Sequence, residues 1–159
     1  MTQSPGKGAM VAQYLGRIRK FCDRGFALAI HIRYTRPTLL YQTYSQDWAD
    51  HYSVKGYMLS DPTVLWGLEH TGHLRWSDLI DKDAAGVFQD ALTFGLTNGF
   101  TYATGPASSR TISSGAKSGN DFSDAETDEF CRLVDLIHAE TEGFDQFPAA
   151  DQDALRKLV

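Results

Sequence analysis

The sequence predicts an α+β fold, an αβα sandwich whose central antiparallel sheet of about five strands carries helices on both faces. Three observations carry that prediction. Apolar residues recur at helical spacing near both ends of the chain, two pairs of strand-like segments lie between them, and a short turn separates the members of each pair. A chain of 159 residues, 42% hydrophobic and 22% charged, is long enough to bury one core of this kind.

The elements follow in order. Residues 1–8, with Pro5, Gly6 and Gly8, read as a flexible leader. From Ala9, Met10, Val11, Tyr14, Leu15, Ile18 and Phe21 mark an amphipathic helix that Gly25 ends. Phe26, Leu28, Ile30 and Ile32 alternate with Ala27, Ala29, His31 and Arg33, which is strand periodicity. A turn at Tyr34–Pro37 leads to a second strand, Thr38–Tyr44. Ser45 caps a short helix carrying Trp48, Ala49 and Tyr52, and Gly56 breaks the chain. Asp61-Pro62 reads as N-cap and first position of a helix reaching about Leu68. His73–Trp76 suggests a short strand. Asp83 caps a longer helix in which Ala84, Val87, Phe88, Ala91, Leu92 and Gly95 share a face, and Asn98-Gly99 stops it.

Phe100–Thr104 and Arg110–Gly115 form a second hairpin around Gly105-Pro106. Ser123-Asp124-Ala125-Glu126 is a capping-box pattern opening a helix with Phe130, Leu133, Val134 and Ile137 on one side, ending near Gly143. No internal repeat or low-complexity linker divides residues 9–143, which read as one folded unit. In 144–159 a fresh helix begins at Ala149, and its Leu155, Leu158 and Val159 have nothing later to pair with.

Composition excludes several function classes. No apolar run approaches the roughly 20 residues of a membrane span. The opening MTQSPGKGAM lacks the apolar centre of a secretory signal, so a cytoplasmic protein without membrane contact is expected. Cys22 and Cys131 are too few for a disulfide framework or a zinc site. A net charge of −5 and a pI near 5.4 do not suit a nucleic-acid surface. G-x-S-x-G, H-E-x-x-H, C-x-x-C and glycine-rich phosphate loops are all missing, and no further ligands join His70 and His73. The expectation is no enzyme, no metal and no cofactor.

The chain does concentrate aromatic groups with polar tips: Tyr41, Tyr44, Trp48, Tyr52, Trp66 and Trp76. Tyr44, Trp48 and Tyr52 are spaced by four and share a helix face. Indole and phenol donors beside the Asp61 acceptor, set in aromatic walls, suit a neutral ligand that has carbonyls and an amide N–H. The same residues admit a plainer account. An aromatic stripe also serves as core, Asp61 before Pro62 also serves as a helix cap, and Trp76 also serves as a core plug.

Trp48-x-x-x-Tyr52, Asp61-Pro62, Trp76-Ser77 and Phe94-Gly95-Leu96-x-x-Gly99, in this order and spacing, resemble the autoinducer-binding domain of LuxR-type quorum-sensing regulators over roughly residues 9–143. The resemblance implies a sensory domain that binds an N-acyl homoserine lactone or similar small acyl signal between the sheet and the helices on one side. By that resemblance Trp48 donates to the lactone carbonyl, Asp61 accepts the amide N–H, and Tyr52 donates to the acyl carbonyl. Trp76 packs on the lactone ring, Tyr44 walls the acyl chain, and Ser113 contacts the acyl carbonyl or a 3-oxo group. It further implies a homodimer formed through helices flanking the sheet. Residues 144–159 become a linker and the start of a truncated helix-turn-helix domain, whose missing part alone contacts DNA and regulates transcription. The alternative is a truncated regulatory protein that heterodimerises with a full-length regulator and inhibits it.

Overall fold

The structure, a computed structural model, describes residues 6–159. Five strands, β1 (Phe26–Arg33), β2 (Arg36–Gln42), β3 (Gly72–Arg75), β4 (Asn98–Thr104) and β5 (Arg110–Lys117), form one sheet in the order β2-β1-β5-β4-β3. Every neighbouring pair is antiparallel. Helices α1 (Lys7–Phe21), α5 (Asp124–Glu140) and α6 (Ala149–Arg156) pack on one face. The other face carries α2 (Gln46–Val54), α3 (Pro62–Glu69) and α4 (Val87–Thr93), with 3-10 turns at Tyr57–Leu59 and Trp76–Lys82. The chain therefore folds as the expected αβα sandwich.

Alternation along the strands divides the residues between the layers. Phe26, Leu28 and Ile30 of β1, Leu39 and Tyr41 of β2 and Phe100 of β4 enter a continuous core with Val11, Leu15 and Ile18 of α1 and Phe130, Leu133 and Ile137 of α5. The α5 capping box forms as expected: Ser123 Oγ accepts from Glu126 N at 3.1 Å, and Glu126 Oε1 accepts from Ser123 N at 2.9 Å.

Alternation fails once, at a bulge in β1. The pairing of β1 with β5 shifts between Ala29 and Ile32, where His31 takes a positive φ of 49°. His31 thereby joins Ile30 on the α5 side, with Nε2 donating to the His138 carbonyl at 2.9 Å. Ile32 crosses to the opposite face, beside Ala103 and Ile112.

Several boundaries differ from expectation. Strand β2 runs Arg36–Gln42, so Pro37 lies inside it and Tyr44 beyond its end. Helix α1 begins at Lys7, within the expected leader, and residues 1–5 of that leader lie outside the described residues. The helix expected from Asp83 to Gly95 is shorter. Gly86 turns left-handed at φ 74°, and α4 starts at Val87. Asp83 still caps it, accepting from Val87 N and Phe88 N, each at 2.8 Å. The end of the chain folds back instead of standing unpaired. Leu155 is fully buried in the α1–α5 core, and Tyr41 Oη donates to its carbonyl at 2.9 Å.

Candidate functional site

The face beneath α2–α4 has a floor of small residues. Ala27 and Ala29 of β1, Gly99, Thr101 and Ala103 of β4, and Ile112, Ser114 and Ala116 of β5 point there, because the register sets them beside one another. On β2, Leu40 pairs with Ala29 and Gln42 with Ala27, so both share this face. In β1, Ala27 and Ala29 remain half-buried although strands flank them on both sides, while Phe26, Leu28 and Ile30 on the reverse face are 0% exposed. The cover over these alanines is incomplete.

Helix α3 closes the far end, where Gly67 lies so near Ile112 that an added Cβ would meet its side chain at 2.8 Å. Helix α2 supplies the roof. Ser45 caps it by accepting from Trp48 N at 3.3 Å. The Trp48 ring, 5% exposed, lies 5.2–6.3 Å from the rings of Phe94, Tyr52, His51 and Tyr57. A carboxylate from α4 ties this cluster together. Asp90 Oδ2 accepts from Tyr57 Oη at 2.6 Å and pairs with His51 Nε2. Sequence reasoning passed over Asp90, His51 and Tyr57, because only the fold brings α4 against α2.

Asp61 caps α3 with one oxygen and accepts from Tyr52 with the other. Oδ1 accepts from the Thr63 amide at 2.9 Å and the Thr63 hydroxyl at 2.7 Å, which caps α3. Oδ2 accepts from Tyr52 Oη at 2.8 Å, on the side of the aromatic cluster. Burial raises the Asp61 carboxyl above the usual range, and the hydrogen bonds from Thr63 and Tyr52 oppose that rise. Tyr52 is pushed well above an ordinary phenol, first by burial and then by the neighbouring Asp61 charge.

Three polar atoms on this face stay unpaired among the described residues: the Tyr44 hydroxyl, the Gln42 carboxamide oxygen and Arg110 Nε, whose guanidinium otherwise donates to the Gly67 and His70 carbonyls. Tyr44 titrates far above its ordinary value, with burial the main cause and the charges of Cys22 and Asp61 next. Its backbone presses on Gly25, whose φ is 103° and where an added Cβ would fall 2.8 Å from the Tyr44 Cα, so a side chain has no space. The hydroxyl available for a ligand acceptor is thus Tyr44, since Tyr52 is committed to Asp61.

Trp76 stands at the other end of the floor. An added Cβ on Gly99 would fall 1.7 Å from its ring, so the indole lies flat against the β4 backbone and stacks on Phe88 at 5.5 Å. Trp76 Nε1 donates to Thr101 Oγ1 at 3.1 Å, and Thr101 Oγ1 is 2.8 Å from Ser114 Oγ.

The expectation for Ser113 requires correction. Ser113 pairs with Leu28 and Tyr102, faces the α5 layer and donates to the Tyr102 carbonyl at 2.8 Å. One residue of strand moves a side chain to the opposite face. Ser114 is the β5 serine that shares the face of Trp76 and Asp61.

Two surface depressions lie outside this floor. One of about 450 Å³ is bounded by Arg19, Arg24, Thr43, Phe94 and Leu96, and one of about 390 Å³ by His51, Lys55, Gly86 and Asp90. No helix among the described residues is long and apolar enough to cross a membrane.

Comparison with known proteins gives a consistent picture. The model of the autoinducer-binding domain matches residues 22–140. The transcriptional activator protein SolR of Ralstonia nicotianae is 30% identical over 80 residues, covering 50% of this chain and 33% of SolR. SolR of Ralstonia solanacearum is 30% identical over 92 residues, 57% of this chain and 37% of that protein. The chain therefore spans about a third of the length of the curated relatives it matches. Among solved structures, Escherichia coli SdiA superposes with a TM-score of 0.65 at 16% identity, covering 92% of this chain and 66% of SdiA. SdiA in complex with octanoyl-rac-glycerol gives 0.64 at 19% identity, with 87% and 59% covered. CepR2 of Burkholderia cenocepacia, described as an N-acylhomoserine lactone dependent LuxR family transcription factor, gives 0.63 at 14% identity, with 91% and 87% covered. These likenesses show a common fold.

Proposed function

Because the chain belongs to the autoinducer-binding domain family of LuxR-type regulators, we propose that the face beneath α2–α4 binds an N-acyl homoserine lactone, with its acyl chain over Ala27 and Ala29. The observation that carries this reading is the convergence of differently committed polar groups on one half-open face. Asp61 offers a buried acceptor to an amide N–H, and the unpaired Tyr44 hydroxyl offers a donor to the acyl carbonyl. The Trp48 indole is the donor for the lactone carbonyl, and Trp76 walls the ring. In this assignment Tyr52 orients Asp61 through its 2.8 Å hydrogen bond, and Ser114 takes the place that the resemblance gave to Ser113. Asp61 already accepts from Thr63 and Tyr52, so a ligand without an amide forgoes one further hydrogen bond to the carboxylate, worth about 1.5–3 kcal/mol. In an intact regulator of which this chain is the sensor, binding biases dimerisation and the placing of a DNA-reading domain in the cytoplasm.

Thermal unfolding with a panel of lactones of varied chain length tests the reading. A ligand at a hundredfold excess over its Kd adds about 2.7 kcal/mol, a rise in Tm of roughly 5–10 °C for a chain of this size. Cooperative unfolding at the same Tm with every lactone in the panel overturns it. Sedimentation with and without the best ligand reads dimerisation separately.

A further inference from the structure

We propose that Gln42 selects ligands that carry a hydroxyl on the acyl chain. The inference rests on the reading above and concerns the same site. Gln42 ends β2 on the face toward α2–α4, Tyr44 lies two residues beyond it against the Trp48 cluster, and each buries a polar atom that has no partner among the described residues. The two atoms ask for different chemistry. A phenol hydroxyl donates to a carbonyl, but a carboxamide oxygen only accepts.

The neighbours of Gln42 do not meet that demand. Directly across the strand pair is Ala27, which has no polar side-chain atom. Beyond it is Ser114, engaged with Thr101, and Thr101 in turn accepts from the Trp76 indole. The donor has to come with the ligand. An acyl homoserine lactone has one N–H, which the buried Asp61 takes, so a second donor must sit on the chain. Unsubstituted and oxo-substituted chains offer none. A hydroxyl offers one, and it completes Gln42 as the acyl carbonyl completes Tyr44.

Dissociation constants for wild-type protein with lactones of one chain length test this: unsubstituted, 3-oxo, 3-hydroxy and terminally hydroxylated. One of the hydroxylated ligands is expected to bind about tenfold tighter than the unsubstituted and 3-oxo compounds. Gln42→Met, which keeps the length and removes the acceptor, is expected to erase that preference, bringing the hydroxylated and unsubstituted ligands within about threefold of each other. Equal affinities across the wild-type series overturn the selectivity and leave the lactone site standing, with water satisfying Gln42. A preference that survives Gln42→Met overturns it as well. Failure of every lactone to bind removes the functional reading together with this one. The wild-type series decides alone if Gln42→Met does not fold.

Discussion

One face of the sheet is filled and the other is roofed. Toward α1 and α5 the strands send Phe26, Leu28, Ile30, Tyr41 and Phe100, all within 1% of complete burial. Toward α2–α4 the same strands send mainly alanine, glycine, serine and threonine, on which aromatic rings such as Trp76 rest, and Ala27 and Ala29 there stay only half-buried. Burial of large apolar side chains stabilises the first face by about 1.5–3 kcal/mol each. The second face leaves three buried polar atoms unpaired, which costs about 1–3 kcal/mol apiece. The difference teaches that stability and recognition are separated by the thickness of one sheet, and side-chain alternation makes that separation possible.

The comparison breaks or sharpens at three points. The largest effect is expected in the filled face. Leu28→Ala should lose about 3–4 kcal/mol of stability, while Tyr44→Phe, which removes an unpaired hydroxyl, should leave the ligand-free melting temperature unchanged or higher and weaken lactone binding about tenfold. Equal destabilisation by the two substitutions, measured by denaturant unfolding, would erase the distinction between the faces.

The second concerns pH. The folded state raises the Asp61 pKa, so it holds that proton where the unfolded chain has already released it. Ligand-free stability should therefore fall as pH rises from the ordinary carboxylate value through the folded one. Asp61→Asn, which keeps a good N-cap, should flatten that part of the profile and still abolish tight lactone binding. A profile unchanged by Asp61→Asn contradicts the assignment.

The third and smallest reads the filled face chemically. Burial pushes both Cys22 and Cys131 up to about 12, so thiolate is scarce at pH 8. Neither thiol should react with a disulfide reagent until the protein unfolds. Rapid labelling of Cys22 in native protein would mean that the α1 layer opens.

Much of this arrangement was legible in the sequence, and the exceptions have identifiable causes. The spacing of Trp48, Tyr52, Asp61 and Trp76 led to one cluster, because each residue starts or lines a short element whose caps are written locally. The choice between Ser113 and Ser114 was not legible. In Arg110–Lys117 the run Ser113-Ser114-Gly115 has no hydrophobic alternation, so only pairing with Leu28 and Tyr102 reveals which serine faces which layer. Local spacing also cannot show that the Tyr52 hydroxyl is already bound to Asp61. Gln42 went unremarked. A polar residue at a strand end resembles any turn-flanking residue until its neighbours are known. The fate of Leu155 was hidden for a related reason, because its partners lie more than a hundred residues earlier in the chain.

The docking of α6 gives β2 a mechanical property. Tyr41 points through one side of the strand and holds the α6 backbone, while the next residue, Gln42, points through the other side into the candidate site. A single peptide unit is the whole distance, in sequence, between the two. The strand works as a short beam loaded from both sides. The seat of α6 and the Gln42 side of the sheet therefore share one stretch of backbone.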